Sequence, residues 1–478
     1  MAEPCDLAAV ESRRLIGARA LSPVELVESC IARIEAVNPA LNAMVATGYD
    51  QARDSAKAAE AAVMGGARLG ALHGLPVGIK DLQETAGLRT THGSRLYADH
   101  VPARDERIVA VLRAAGAIVV GKTNTPEFGA GANTTNAVYG PTGNPFDPSR
   151  ICGGSSGGSA VALATSMVPL ATGSDTGGSL RNPAAYCGVV GFRPSPGLVP
   201  SEKRVLGWTV LSVLGPMARN VADACLMLSA IAGFDRRDPL SGRVDVGRLA
   251  APPTVELKGL RLAVSEDLGF APVSDTIRVT FRERVARFAG AFRACVTRDP
   301  DMKGADRAFE VLRAAGYLAA HGERYRTHGD ALGPNLRANL EQGLGFDLTD
   351  LARAHAEQTR IYRALQRLFD EADVLVCPAV SVPPFALEQP YPTHIDGQKL
   401  GSYFHWLAIT YGLTLTGHPV VTIPCGRDST GTPFGIQVCG PSGGDGFVLG
   451  VAQALERLFA HDPVLARPVP DLAALAAP

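Results

Sequence analysis

Two short clusters of glycine and serine are the residues of this chain whose types and spacing suggest chemistry. The first reads GGSSGGS from Gly153 to Ser159, and the second reads GSDTGGS from Gly173 to Ser179. Glycines let a backbone approach a ligand closely, and successive amide N–H groups in such a turn form a concavity that holds an anion. The second cluster therefore predicts an oxyanion hole that ends in a nucleophilic hydroxyl, that of Ser179.

A serine hydroxyl is a weak nucleophile until a base removes its proton. Ten histidines are spread along the chain, and candidates such as His405 and His418 stand in no distinctive context. Lys80 ends the apolar segment LPVGIK, and burial in a strand would lower the pKa of its amine. Hydroxyls of the first cluster could carry a proton between the lysine and the nucleophile. We therefore favour Lys80 over a histidine as the base.

Two well-known motifs match the sequence but lack their structural context. The segment GAIVVGKT (116–123) fits a phosphate-binding loop, yet its middle residues favour a strand, and the Asn-Thr-Pro that follows disfavours a helix. Ser155 and Ser156 both fit G-x-S-x-G, the nucleophile elbow of Ser–His–Asp hydrolases, but the preceding PFDPSRIC is a poor strand. No H-E-x-x-H or other metal-ligand spacing occurs, so we expect no metal and no cofactor.

Composition argues against several classes of protein. The chain has 478 residues, 46% of them hydrophobic, and a net charge of −1, which gives no electrostatic footprint for nucleic acid or an anionic membrane. No apolar run reaches the roughly 18–20 residues of a membrane helix, and the first residues lack the apolar segment of a signal peptide. The nine cysteines are scattered without a C-x-x-C pair, which is typical of reduced thiols. These features predict a cytoplasmic protein with neither nucleic-acid nor membrane partners.

Helix and strand signals alternate along the chain, which predicts an α/β layered fold. Ser22-Pro-Val-Glu25 reads as a capping box, and Asn220 reads as the cap of a helix that extends to about 231. Further helices are predicted at about 50–64, 106–115 and 159–168, and extended segments at about 75–81, 117–123, 169–172, 260, 373, 420 and 434.

Longer motifs resemble the amidase-signature family of hydrolases, most closely between about residues 70 and 225. They include LHGLPVGIKD (72–81), GAIVVGKTNTPEFG (116–129), GGSSGGSA (153–160) and GSDTGGSLRNPAA (173–185). Weaker resemblance returns at GHPVVTIPCG (417–426) and PFGIQVCG (433–440). The distances of 75 residues from Lys80 to Ser155 and 24 from Ser155 to Ser179 also match that family.

The resemblance implies a Ser–cisSer–Lys triad. In it, Ser179 is the nucleophile, Ser155 is a bridging serine that follows a cis peptide bond from Gly154, and Lys80 is the base. The oxyanion hole would be formed by the backbone amides of Thr176, Gly177, Gly178 and Ser179.

Neighbouring residues are expected to support this triad. Asp175 and Arg181 flank the nucleophile loop, and we predict that they pair and brace it; Ser156 would support the bridging loop. Candidates for the substrate pocket are Phe128, Gly129, Trp208 and Trp406.

The resemblance also implies the fold, a single domain over residues 1–478 with a central mixed, twisted β-sheet covered by helices on both faces. Its expected parts are an N-terminal helical cover (about 1–68), the signature core (70–225), a variable helical, substrate-facing region (240–400) and a C-terminal return to the core sheet (401–465). Specificity would come from segments near 60–75, 120–150, 200–215 and 300–400. The mixture of polar and aromatic residues in HIDGQKLGSYFHW (394–406) suggests a small or aromatic acyl group.

The function predicted from these residues is hydrolysis of the C–N bond of a small-molecule amide through an acyl-enzyme on serine. Carbamates (urethanes) and esters are further candidate substrates, because the same oxyanion chemistry serves them. The alternative is the glutaminase-type component of a tRNA-dependent amidotransferase, its A subunit, although residues 320–350 do not resemble that protein. A homodimer is expected from the habit of the family.

Overall fold

An eleven-stranded sheet organises the computed structural model, which describes residues 3–476. The strands of the chain are β1 (Met44–Thr47), β2 (Pro76–Lys80), β3 (Ile118–Thr123), β4 (Thr135–Asn136), β5 (Gly140–Pro141), β6 (Gly143–Asn144), β7 (Asp147–Ile151), β8 (Leu170–Asp175), β9 (Val190–Arg193), β10 (Val213–Ala218), β11 (Arg261–Val264), β12 (Ala294–Thr297), β13 (Val374–Pro378), β14 (His394–Ile395), β15 (Gln398–Lys399), β16 (Val420–Arg427) and β17 (Pro433–Cys439).

The order in the main sheet is β1-β3-β2-β8-β10-β9-β16-β17-β13-β11-β12. It is a mixed sheet, because β2 runs parallel to both β3 and β8 whereas β10 runs antiparallel to β8 and β9. The predicted α/β fold with a central mixed sheet is confirmed.

The α-helices surround this sheet: α1 (Ala9–Gly17), α2 (Pro23–Leu41), α3 (Tyr49–Met64), α4 (Arg107–Ala114), α5 (Gly157–Ala164), α6 (Arg181–Cys187), α7 (Val221–Ile231), α8 (Val246–Ala250), α9 (Asp275–Phe288), α10 (Ala305–His328), α11 (Pro334–Leu344), α12 (Leu348–Glu371), α13 (Ala408–Thr416), α14 (Asp445–Phe459) and α15 (Leu472–Leu475).

Both faces of the sheet are covered, as the alternation of side chains along its strands shows. In β10, Val213 and Met217 belong to one apolar cluster, and Leu214 and Ala218 belong to another. Successive side chains of a strand point to opposite faces, so the two clusters are the two sides of the sheet. Each side is closed by helices, which leaves the central strands without solvent contact.

Local sequence signals correctly predicted two helix caps and one buried strand. Ser22 and Glu25 form the capping box at the start of α2, and the Asn220 side chain accepts a hydrogen bond from the Asp223 amide at the start of α7. The segment 116–123 ends in β3, so Lys122 lies in a buried strand. A phosphate-binding loop would need an open turn at this position, so that motif is not formed.

Two of the local predictions were wrong. The segment PFDPSRIC does contain a strand, β7, but it pairs with β6 in a separate two-stranded sheet, where hydrogen bonding compensates for its weak propensity. The helix expected at 159–168 is α5, which starts at Gly157 and stops at Ala164, so that the following strand β8 is longer than the predicted 169–172.

The sheet brings the glycine–serine clusters together at one edge. Because β2 and β8 are parallel neighbours, their carboxyl ends, Lys80 and Asp175, lie at the same edge. The first cluster leads into α5 and the second leads into α6, and these two helices pack against each other. Within residues 3–476, no helix combines the length and the apolar character needed to cross a membrane.

Candidate active site

Lys80 lies at the centre of the site and is completely buried. Its Nζ atom is 2.8 Å from Ser155 Oγ, 2.8 Å from Ser156 Oγ and 2.9 Å from Ser174 Oγ. Flanking strands β3 and β8 remove this amine from water, and only hydroxyl groups contact it. The sequence therefore identified the lysine correctly as a neighbour of the first serine cluster, but it gave no sign of the contact with Ser174.

The pKa of Lys80 is lowered to about 7, because burial disfavours the ammonium form more than the carboxylate of Asp175 favours it. A neutral amine has a lone pair, and a hydroxyl at 2.8 Å can donate its proton to it. The amine is thus neutral in about half of the molecules near pH 7 and can act as a proton acceptor there.

The loop that carries Ser155 contains a left-handed glycine with no space for a side chain. Gly153 has φ of 78°, and a Cβ atom there would come within 2.6 Å of Asn182 Oδ1. The peptide bond between Gly154 and Ser155 is cis, as the resemblance implies. In this turn the Ser155 Oγ atom lies 2.8 Å from Lys80 Nζ.

Asn182 joins the two serine loops, and sequence reasoning assigned it no role. Its Nδ2 donates to the carbonyl oxygens of Gly154 at 2.7 Å and Gly178 at 2.9 Å, and its Oδ1 accepts from the Gly154 amide at 3.0 Å. The side chain is buried, so these bonds are not exchanged with water. One amide group therefore fixes the bridging loop relative to the nucleophile loop.

The loop that carries Ser179 (residues 176–180), here called the nucleophile loop, follows β8, and its residues Thr176 and Ser179 line a cavity. Of the four predicted oxyanion-hole amides, that of Gly178 instead donates to Asp175 Oδ1 at 2.9 Å, because the carboxylate folds back over the turn. The amides of Thr176, Gly177 and Ser179 donate to no other group of the described chain. Three of the four predicted amides are therefore without a protein acceptor, whereas that of Gly178 is engaged.

Asp175 holds this loop through a fully buried ion pair. Arg181 donates from Nε and Nη2 to the carboxylate, both at 3.0 Å, and Arg193 donates from Nη1 at 3.1 Å. Burial raises the pKa of Asp175, but the two guanidiniums and the Leu180 amide outweigh it, so that this pKa lies well below its ordinary value. The predicted pair of Asp175 and Arg181 is therefore present, and Arg193 is a second partner that the sequence did not reveal.

Arg181 also ties the loop to distant parts of the chain. It donates to the carbonyl of Thr410 and the hydroxyl of Thr414 in α13, and to Gln437 Oε1 in β17, each at 2.7 Å. A loop anchored at so many points keeps its amides oriented, which an oxyanion hole requires.

A cavity of about 430 Å³ opens beside these loops, and Ser155, Ser174, Thr176 and Ser179 all line it. Lys80 lies behind the serines and has no part in the lining. The arrangement therefore places the Ser155 and Ser179 side chains at the cavity wall, with the buried Lys80 amine behind Ser155.

Of the four predicted pocket residues, Phe128 and Gly129 line the cavity. Phe128 forms one end of it, with ring centroids 4.6 Å from His321, 5.9 Å from His92 and 5.9 Å from Tyr97. Burial lowers the pKa of both histidines to about 4, so they are neutral aromatic surfaces at pH 7. We call Phe128, His92, Tyr97 and His321 the aromatic end of the cavity.

The prediction that the two tryptophans line the substrate pocket was wrong. Trp208 is 79% exposed and lies outside the lining, since its side chain points into solvent from an exposed loop. Trp406 is 2% exposed because it packs edge-on against Phe385 and donates its indole N–H to the Tyr403 carbonyl. The segment 394–406 as a whole contributes nothing to the lining, so the expectation of a substrate contact there was wrong as well.

The other segments expected to govern specificity contribute unequally. Residues of 120–150, 200–215 and 300–400 line the cavity, whereas none of 60–75 does. The histidines considered in the sequence, His405 and His418, are not part of the lining either. His418 is buried between Gln366 and the Thr416 carbonyl.

Comparison of the sequence with known proteins identifies the family of this chain. The family model described as Amidase matches residues 25–449, which is most of the chain. The chain belongs to the amidase family. Among similar proteins, an acylamidase of Rhodococcus erythropolis is 34% identical over 94% of this chain and 95% of its own length. The A subunit of the Glutamyl-tRNA(Gln) amidotransferase of Chloroflexus aurantiacus is also 34% identical, over 96% of this chain and 98% of its own length.

A solved structure gives the same result for the fold of this amidase-family chain. The crystal structure of a bacterial aryl acylamidase of the amidase-signature family superposes with a TM-score of 0.87 and 29% identity, covering 96% of each chain. The family resemblance seen in the motifs is thereby confirmed, and so is the single-domain amidase-signature fold.

Proposed function

We propose that this protein hydrolyses the C–N bond of small-molecule amides through an acyl-enzyme on Ser179, with Ser155 and Lys80 as proton carriers. The observation that carries the proposal is the 2.8 Å contact between the buried Lys80 amine and Ser155 Oγ, next to a cavity that Ser179 lines. No other buried base of the described residues contacts either serine.

The proposed acylation conserves protons. The neutral Lys80 amine takes the proton of Ser155 while Ser155 takes that of Ser179. The Ser179 oxygen forms a bond to the amide carbon, and the carbonyl electron pair moves to oxygen beside the amides of Thr176, Gly177 and Ser179. When the C–N bond breaks, the departing amine receives the proton back from Lys80 through Ser155.

Deacylation uses the same groups in reverse. Water gives a proton to Ser155 and onward to Lys80 as its oxygen attacks the ester carbon, and Ser179 leaves with that proton restored. Both halves need an amine that gains and loses a proton near neutral pH, which the pKa of Lys80 of about 7 supports.

An aromatic amide, such as an anilide, is the substrate class that the cavity favours. Its aromatic end offers flat rings and neutral histidines, and the Arg324 guanidinium lies 5.5 Å from the Phe128 ring centre. Aromatic pairs at 4.5–7 Å are worth about 0.5–1.5 kcal/mol beyond burial. Carbamates remain candidate substrates, since their carbonyl would occupy the same position. The similarity to an aryl acylamidase supports this assignment.

A panel of substrates tests the proposal. Release of amine or ammonia is measured for acetanilides, aliphatic amides, aryl carbamates and glutamine, with wild type and with Ser179→Ala. We expect anilide turnover that Ser179→Ala abolishes; anilide turnover that survives in Ser179→Ala would contradict it.

The second candidate is the glutaminase component of an amidotransferase, which the amidotransferase relatives support. It predicts that glutamine is the preferred compound of the same panel and that anilides are not hydrolysed.

A further inference from the structure

One face of helix α10 forms a wall of the active-site cavity. The lining residues of this helix are Leu312, Arg313, Gly316, Tyr317, Ala320, His321 and Arg324. Their spacing of three and four residues is that of a single helical stripe. Two arginines, Arg313 and Arg324, are therefore part of the wall that a bound substrate would face.

The lysine and the three arginines that line this cavity differ in whether they have a carboxylate partner. Lys203 lies 3.4 Å from Glu84, and Arg204 lies 3.4 Å from Asp238, so each has a counter-ion. Across residues 3–476, by contrast, no carboxylate approaches within 4.0 Å of the guanidinium of Arg313 or Arg324. Neither guanidinium therefore has a direct ion-pair partner among these residues.

Arg313 is the more buried of the two, with 7% of its surface exposed. It donates to two neutral acceptors, Tyr403 Oη at 2.5 Å and Asn339 Oδ1. Its guanidinium carbon also lies 4.4 Å from the Phe404 ring centre and 5.0 Å from that of Tyr317. Burial of an unpaired charge is costly, and these contacts fix the group without neutralising it.

Helix α10 contacts the nucleophile loop one helical turn before Arg313. Phe309, one helical turn before it, packs so tightly on this loop that a Cβ atom on Gly177 would lie 2.9 Å from the phenyl ring. One turn advances the helix by about 5.4 Å, whereas Arg324 is about 16 Å farther along α10 than Arg313. Gly316, on the turn between Arg313 and Tyr317, leaves open space beside its backbone.

We propose that Arg313 binds a carboxylate of the substrate, so that the natural substrate is a small amide that carries an anionic group near the scissile bond. This inference rests on the proposed function and narrows its substrate class. Arg313 is here a specificity residue, since it binds the part of the substrate that does not react. A bound carboxylate would supply the counter-ion that the protein does not provide.

The acidic residues of the cavity belong to other elements. Glu84 follows β2 and lies near His92, His100 and Lys203, and Glu106 precedes α4 and is buried. Neither is on α10. A substrate carboxylate is therefore directed to the α10 wall.

Matched pairs of anilides test the proposal. On the acyl side, glutaryl-4-nitroanilide is compared with 5-oxohexanoyl-4-nitroanilide, in which a methyl ketone replaces the carboxylate at nearly the same size. On the amine side, 4-acetamidobenzoate is compared with 4-acetamidoacetophenone. For one of the pairs, we expect kcat/KM of the anionic compound to exceed that of the neutral compound by about 10-fold or more, as a charge-assisted contact implies.

Four variants locate the group responsible. Arg313→Gln should reduce the anionic-to-neutral ratio to about 1 while the neutral compound is still hydrolysed, and Arg313→Lys should restore part of it. Arg324→Gln and Lys203→Gln are controls on the same cavity and should keep the wild-type ratio. A ratio near 1 in wild type for both pairs, or a loss with Arg324→Gln but not with Arg313→Gln, would overturn the assignment.

The design also separates this inference from the proposed function. If neutral anilides are hydrolysed at Ser179 without any preference for the anionic partner, only the carboxylate site is wrong. If no anilide is hydrolysed, the same four compounds are tested as protectants of Ser179 against a fluorophosphonate. Stronger protection by the anionic member, lost in Arg313→Gln, then supports the site, and equal protection by both members contradicts it.

Discussion

Titration of Lys80 should control the rate of the enzyme across neutral pH. With a pKa of about 7, this amine is neutral in about 9% of molecules at pH 6, in half at pH 7 and in about 91% at pH 8. Only the neutral form can accept the proton of Ser155. We therefore predict that kcat/KM rises roughly tenfold from pH 6 to a plateau above pH 8, with an inflection near 7.

The sign follows from the direction of the pKa shift. Burial moves the pKa of Lys80 down from 10.5, a change worth about 5 kcal/mol in favour of the neutral form. Without that shift, fewer than about one molecule in a thousand would hold a neutral amine at pH 7. The rate must therefore increase with pH, because deprotonation creates the active form.

The assay is the initial rate of anilide hydrolysis at low substrate concentration between pH 5.5 and 8.5. Glu106 needs a control, since it lines the cavity and burial raises its pKa to about 7 as well. The variant Glu106→Gln should keep the inflection, and Lys80→Arg, which stays protonated, should be inactive throughout the range. A flat profile, a rate that falls as pH rises, or an inflection lost with Glu106→Gln would refute the role of Lys80.

Four further variants test the contacts around the triad and the placement of the two tryptophans. Asn182→Ala removes the side chain that joins the serine loops, so kcat should fall about 10²-fold with KM much less affected, and a wild-type kcat would contradict that role. Trp406→Ala should lower the free energy of unfolding in urea by about 3–5 kcal/mol, because the ring is buried. Trp208→Ala should change it by less than about 0.5 kcal/mol, and equal effects of the two variants would contradict their placement. Asp175→Asn leaves two buried guanidiniums without a counter-ion and should cost about 3–5 kcal/mol in thermal unfolding, so an unchanged midpoint would count against the ion pair.

The sequence was most informative where chemistry and local conformation coincide. Gly153 adopts a left-handed conformation that few other residues fit, and the apolar residues before Lys80 indicate a buried strand, so both signals can be read from the residue types. Helix caps such as Ser22 and Asn220 are similarly local, since the cap and its partner are three residues apart. These signals were sufficient for the fold class and for the clustering of Lys80 with Ser155.

Contacts between distant segments were out of reach. Asn182 bonds to a residue 28 positions away, and Arg193 bonds to one 18 positions away, so nothing in their own surroundings indicated a role. The presence of a tryptophan in the sequence does not indicate whether its ring is buried or exposed, because that depends on the tertiary structure. The Gly178 amide was misassigned because its acceptor, Asp175, is three residues back, and that turn geometry is set only by the folded loop.

The helix that lines the cavity illustrates a third limit. The spacing of residues in α10 is compatible with a helix, but a helix has several faces, and only packing decides which face meets the cavity. The sequence therefore could not distinguish Arg313 and Arg324 from the exposed arginines of the same region. Their lack of carboxylate partners emerged only from the three-dimensional arrangement.

The most direct test of the central claim is the position and rate of covalent labelling by a broadly reactive fluorophosphonate, mapped by mass spectrometry on wild type and Lys80→Ala. A lysine-activated nucleophile predicts a single adduct on Ser179, formed about 10²–10⁴ times more slowly in Lys80→Ala. Circular dichroism of the variant verifies that it is folded. An adduct on Ser155 or Ser156 that forms at the same rate with and without Lys80 would contradict the account.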